Sequence, residues 1–150
     1  MKVFRISKTQ YANDLQGMGS KLFGGRWNHI DTPCIYTSES RSLAVLEYSA
    51  NIAIDFIPRA LSLCIFEIDE AQIELTKIED LPGNWTETPA PKVTKDFGTQ
   101  WLKERKGILK LPSIIIPQEF NYLLNPLSEK PGFKLVETYD FVYDLRIKNV

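Results

Sequence analysis

Apolar and polar positions alternate with period two over residues 2–7, putting Val3 and Arg5 on one face and Phe4 and Ile6 on the other, and this predicts an edge strand. A glycine-rich stretch with Gly17, Gly19, Gly24 and Gly25 follows, and then a short apolar strand at residues 34–37. Over residues 40–54 the period changes: Leu43, Leu46, Ala50, Ala53 and Ile54 recur at three- and four-residue spacing, which predicts a helix ending before Pro58. Branched and aromatic residues predict strands at 60–68 and 72–78. Pro91 opens a second helix with a stripe of Val93, Phe97 and Trp101 that ends near Gly107. Two last strands are expected at 112–117, between prolines, and over 140–147, where Phe141, Tyr143, Leu145 and Ile147 alternate with Asp140, Val142, Asp144 and Arg146. Strands and helices mix without a βαβ rhythm, so the expected fold class is α+β in one domain over residues 1–150.

Composition narrows the chemistry. A chain of 150 residues buries enough surface to fold without disulfides or a structural metal. One His and two Cys, His29, Cys34 and Cys64, cannot supply a clustered zinc site, so no metal is expected and the thiols are expected to be buried and unbridged. A net charge of −1 gives no basic footprint for a phosphate backbone, so no direct nucleic-acid partner is expected. The opening residues lack a signal-peptide core and the longest aliphatic run, 114–116, is far too short for a membrane span. The expected location is the cytoplasm, with no membrane partner.

Five residues bear on the chemistry. Glu47 lies four residues after Leu43 and three before Ala50, on the inward stripe of its helix, where an ionised carboxylate needs a partner or a task. From position alone, a structural ion pair and a functional carboxylate are equally open. The segment GGRWN, residues 24–28, places Arg26 behind a glycine pair where backbone could approach an anion, although taken alone it reads as a surface turn with Trp27 in the core. It has neither dinucleotide-turn nor P-loop spacing. Ser113, between Pro112 and an isoleucine run, has a rigid backbone, and no Gly-x-Ser-x-Gly elbow or His-based triad accompanies it. Tyr36 and His29 read by default as a core aromatic and a loop histidine.

Together these residues resemble the RES domain family, the toxin half of a bacterial toxin–antitoxin pair, named for an Arg, a Glu and a Ser. The resemblance rests on GGRWN at 24–28, on a strand and helix running from Ile35 to Glu47, and on PSIIIPQEFNYLLNP from Pro112 to Pro126. Arg5 and the segment YDLRI, residues 143–147, fit the family's edges, whereas Leu127 and Ser128 replace its usual His-Pro. The resemblance implies a fold similar to ADP-ribosyltransferases, with mixed sheets and flanking helices. It implies Arg26, Tyr36, Glu47 and Ser113 as catalytic residues, and Arg5, Arg26, Trp27, Asn28, Tyr36 and Asn125 as residues that bind NAD⁺.

The implied function is that of a type II toxin that consumes NAD⁺ by cleaving the nicotinamide–ribose bond, with water or phosphate as acceptor. NAD⁺ enters as substrate, with no prosthetic group. That chemistry agrees with the inventory of residues, because nicotinamide leaves as a neutral molecule and requires no acid, imidazole or metal. The alternatives are an ADP-ribosyltransferase modifying a cellular protein and a catalytically silent nucleotide-binding module. The implied partner is an Xre-type helix-turn-helix antitoxin, and a homodimer is compatible with all of these readings.

Overall fold

The computed structural model describes residues 1–149. Seven strands, β1 (Lys2–Lys8), β2 (Ile35–Ser38), β3 (Leu61–Ile68), β4 (Ile73–Leu75), β5 (Ile108–Pro112), β6 (Phe120–Leu124) and β7 (Phe133–Phe141), build one sheet. Three helices, α1 (Met18–Phe23), α2 (Arg41–Ala50) and α3 (Lys92–Lys103), accompany them. The strand order is β4-β5-β6-β2-β1-β3-β7, mixed because β4 and β5 run parallel while the other neighbours are antiparallel. The architecture is a single α+β domain. No helix among the described residues is long and apolar enough to cross a membrane.

One face of the sheet buries Val3, Ile35, Cys64, Phe66, Ile108 and Leu124 in a continuous cluster. The opposite face is divided. Beneath α3, Trp101 and Leu102 pack with Trp27, Leu109, Leu111 and Leu123. Beneath α2, Ala44 packs with Phe4, Ile6, Leu61, Leu63 and Ile65. Between the two clusters β1 and β2 touch in register only at Phe4↔Ser38, whereas β1 pairs with β3 along its whole length. Arg5–Ser7 and Ile35–Thr37 therefore form no ladder with each other, and a cavity opens where the sheet parts.

Strand β1 lies inside the sheet, not at its edge. Its alternation is as expected, but Arg5 is covered by the following turn: its Nη2 donates to the Tyr11 carbonyl at 3.1 Å and its guanidinium stacks over the Phe66 ring. Both cysteines are buried and free.

Helix α2 starts as expected, with the Ser40 hydroxyl accepting from the Leu43 amide at 3.0 Å, a cap worth about 1 kcal/mol. It ends at Ala50, and the buried side chains are Leu43, Ala44 and Ser49, with Leu46 exposed. Val93 is likewise exposed on α3, which buries Thr94, Gly98, Trp101 and Leu102 instead.

Only Pro112 of the segment 112–117 is in a strand, as the end of β5, and residues 113–117 form a turn. Beyond Pro112 the Ser113 hydroxyl accepts from the amides of Ile115 and Ile116, so a side chain takes up donors that a ladder would otherwise use. The C-terminal strand precedes the expected one and stops at Phe141, because the Asp144 carboxylate accepts from the Arg146 amide and starts a 3₁₀ turn. Strands β5 and β6 and helix α1 have no counterpart in the sequence expectation.

Candidate active site

The cavity at the parting of β1 and β2 has a volume of about 610 Å³. Arg5, Arg26, Trp27, Tyr36, Glu47 and Tyr48 are among the residues lining it, so β1, the glycine-rich loop, β2 and α2 all contribute. The order of the sheet explains the convergence: residues far apart in sequence meet where β1 and β2 separate.

Glu47 projects from the inner side of α2. Its Oε1 accepts from the Ser113 hydroxyl at 2.7 Å and from the Asn121 side-chain amide at 2.6 Å. Both donors converge on one oxygen, leaving Oε2 without a protein donor among the described residues. Ser113 is fully buried, and its lone pairs are occupied by the two turn amides, so its single proton is committed to the carboxylate. That arrangement fits a donor to Glu47 and not a nucleophile.

The GGRWN loop folds around the Tyr36 hydroxyl. This hydroxyl donates to Asn28 Oδ1 at 2.6 Å and accepts from the Trp27 amide at 2.9 Å. Burial holds the phenol well above the ordinary tyrosine range, so it stays protonated. Gly25 is required by close approach, since a Cβ there would lie 2.7 Å from the Tyr36 oxygen. The glycine thus makes room for the chain's own tyrosine. Trp27 packs against Trp85 and Phe97, and α3 reaches this loop so closely that a Cβ on Gly98 would lie 1.9 Å from the Trp27 carbonyl oxygen.

Arg26 holds the loop at 82–91. Its Nη1 donates to the carbonyls of Trp85 at 3.0 Å and Glu87 at 2.7 Å, and its Nη2 donates to the Thr88 hydroxyl at 2.9 Å. Burial lowers its pKa and the nearby Glu47 charge opposes that shift. Arg5 is less committed. Its buried Nε has no protein partner among the described residues, and neither does the buried hydroxyl of Tyr48. Two polar atoms on side chains that line the cavity thus lack a protein partner. No group of three or more His, Cys, Asp or Glu side chains gathers among the described residues as a metal site would.

Residues 2–146 match the RES domain family. The chain belongs to the RES domain family. It is similar to "Toxin Res" of Yersinia enterocolitica, 37% identical over 99% of this chain and 100% of that one. It is also similar to "Toxin Res" of Photorhabdus laumondii, 34% identical over 98% and 97% of the two chains. A third relative, the "Prs ADP-ribosylating toxin" of a Sphingobium species, is 34% identical over 94% and 91%. Among solved structures, a chain of the M. tuberculosis MbcT–MbcA toxin–antitoxin complex superposes with a TM-score of 0.72 over 94% of this chain and 84% of that one. At 17% identity that likeness is one of fold.

Within this RES domain, two expected ligand residues lie outside the cavity. Asn28 is fully buried and its amide donates to the carbonyls of Ser20, His29 and Thr32, which closes the loop on itself. Asn125 is fully buried and donates to the carbonyls of Leu102 and Lys106, bracing the end of α3. Asn121 was missed although it stands inside the motif running from Pro112 to Pro126. The available signal was a carboxamide in an otherwise apolar strand segment, FNYLL.

Proposed function

We propose that this protein is the toxin of a toxin–antitoxin pair, and that its cavity breaks the nicotinamide–ribose bond of NAD⁺ and passes the ADP-ribosyl group to water or phosphate. The observation that carries this reading is Glu47, a carboxylate held through one oxygen by two donors in a cavity that Arg5 and Arg26 also line.

The bond between ribose C1′ and the pyridinium nitrogen breaks with its electron pair going to nitrogen, so nicotinamide departs neutral. Positive charge then grows on C1′ and the ring oxygen, and a fixed carboxylate stabilises it without reorganising. Oε2 of Glu47 supplies that charge, and the acceptor oxygen then bonds to C1′, a water acceptor losing its proton to solvent. Tyr36 supplies its ring, since its hydroxyl is committed to the loop, and stacking on the pyridinium contributes roughly 0.5–2 kcal/mol. Arg5, with one N–H bonded to Tyr11, and Arg26, already fixed by its loop, grip the diphosphate by charge-assisted hydrogen bonds. A ligand also provides partners for Arg5 Nε and the Tyr48 hydroxyl.

The fold shared with a chain of a toxin–antitoxin complex supports an antitoxin as the protein partner, and the family resemblance supports an Xre-type one. A second reading, transfer of ADP-ribose to a cellular protein, is favoured by the name of the Sphingobium relative. Incubating purified protein with NAD⁺, with and without phosphate, and identifying products by mass spectrometry separates the two. Free ADP-ribose or its phosphorylated form supports the first. Nicotinamide release that depends on added cellular protein, with ADP-ribose bound to it, selects the second, and no nicotinamide release in any arm refutes both.

A further inference from the structure

Asn121 and Ser38 are direct cross-strand partners on β6 and β2, and Ser38 is also the residue through which β2 meets β1. The Ser38 hydroxyl donates to Asn121 Oδ1 at 2.7 Å, while the Asn121 amide donates to Glu47 Oε1 at 2.6 Å. The chemistry fixes the carboxamide. An ionised carboxylate accepts only, so the NH₂ end must face Glu47, and the Ser38 proton then has the carboxamide oxygen as its acceptor. Ser113 approaches the same Oε1 from the turn after β5. Two donors from separate elements thus hold one oxygen and leave the other for the cavity.

We infer that Asn121, backed by Ser38, is a positioning residue that sets which oxygen of Glu47 faces the cavity and holds it there. Ser113 alone is one donor on a hydroxyl, and a carboxylate held at a single point turns about that bond. The second donor removes that freedom. The inference rests on the proposed NAD⁺ reaction for its kinetic consequences, but its geometric content is independent of that reaction.

The kinetic test measures nicotinamide release by Asn121→Ala, Ser38→Ala and the double variant. Misplacing a catalytic group by about 1 Å costs up to ~10²-fold, so Asn121→Ala lowers kcat roughly 10- to 100-fold with KM little changed. Because Ser38 acts through Asn121, the double variant matches Asn121→Ala within about twofold. Full additivity of the two losses, or a rise in KM with kcat intact, overturns the relay.

The near-isosteric Asn121→Asp gives a readout that mere support of the fold would not move. Two carboxyl groups at hydrogen-bond distance share a proton. When protonated, the introduced acid replaces the amide donor, so turnover of this variant is recovered relative to wild type as pH falls and lost as the shared proton leaves. A pH profile parallel to wild type overturns the inference.

A crystal structure of Asn121→Ala reads the geometry without any turnover. The expected result is a Glu47 carboxylate turned away from its wild-type orientation, and an unmoved carboxylate overturns the inference. A wild-type protein that releases no nicotinamide refutes the proposed function and leaves this structural arm decisive for the positioning role.

Discussion

Ser113 gives its one proton to Glu47 Oε1 at 2.7 Å while holding the amides of Ile115 and Ile116 on its lone pairs. The same hydroxyl therefore shapes the turn after β5 and orients the carboxylate of α2. Removing it has two separable effects. Ser113→Ala leaves two part-buried amides without their acceptor and lowers stability by about 1–2 kcal/mol, and it also lowers kcat. Glu47→Gln keeps an oxygen that accepts from both donors, so it preserves the fold while losing roughly 10²- to 10³-fold in kcat. Chemical denaturation and nicotinamide release on both variants check the contrast. Comparable activity in Glu47→Gln and wild type removes the charge argument.

Tyr36→Phe separates ring from hydroxyl. The hydroxyl serves Asn28 and the Trp27 amide within the loop, whereas the ring lines the cavity. Substitution leaves an amide and a carboxamide oxygen unpaired at a cost of about 1–3 kcal/mol. Turnover of the folded protein at moderate temperature falls far less than in Glu47→Gln. Thermal melts paired with steady-state kinetics test this, and a loss as large as that of Glu47→Gln would show that the hydroxyl touches substrate.

The sequence made the residues of the candidate site more legible than the sheet. Glu47 was visible because a carboxylate on an apolar stripe is expensive, and the structure supplies the reason in Ser113 and Asn121. The expected stripe itself was rotated: Leu46 and Ala50 face outward, and the chain buries Leu43 and Ala44 against β1 and β3. Local periodicity cannot say that β1 is interior, because Arg5 looks like an edge residue until Tyr11 and Phe66 cover it. Nor can it separate residues 113–116 as a strand from a turn, since the deciding contacts are hydrogen bonds from Ile115 and Ile116 back to Ser113. Asn28 and Asn125 are polar and lie in motifs, as a ligand residue would, but each spends its side chain on backbone carbonyls.

Arg26→Lys keeps the charge and loses the fork. Three carbonyl or hydroxyl oxygens of residues 85–88 share two guanidinium nitrogens, a geometry that an ammonium cannot reproduce. The expected outcome is faster hydrogen exchange across residues 82–91, including the Trp85 and Glu87 amides, together with a raised KM for NAD⁺. Unaltered exchange in that loop would contradict the anchoring role of Arg26.

The pH dependence of stability has a marker far from the cavity. Hydrogen bonds from the Arg146 side chain, and then its amide, lower the Asp144 carboxyl to about 2. A depressed folded-state value stabilises the protein above the unfolded-state value of roughly 3.9, and that contribution is lost as pH falls toward 2. The Tm difference between wild type and Asp144→Asn is therefore constant above about pH 5 and closes on acidification. Because the pair is exposed, molar salt shrinks the difference. A gap that widens with acid would reverse the sign of the linkage.

His29 offers the sharpest test of the carboxylate mechanism, because it is the only imidazole in the chain. The structure gives it a different occupation: its Nε2 pairs with Asp96 at 2.6 Å, and Asp96 is held in turn by Lys92, so the ring ties the GGRWN loop to α3. The Lys92 hydrogen bond, and after it that of His29, hold the Asp96 carboxyl below its ordinary range, so Asp96 is an ionised acceptor for both at neutral pH. In the proposed reaction the leaving group departs neutral and needs no protonation, so that reaction calls for neither an imidazole nor a Lewis acid in the bond-breaking step. Nicotinamide release should survive a chelator, and His29→Ala should alter kcat by much less than the roughly 10²- to 10⁴-fold expected on removing a general acid or base. Circular dichroism on the variant establishes that the loss of this tie has not unfolded the protein. A collapse of kcat in a folded His29→Ala protein, or in wild type with chelator, would place the imidazole or a bound ion in the reaction and end the case for Glu47 as the one group acting at the reacting carbon.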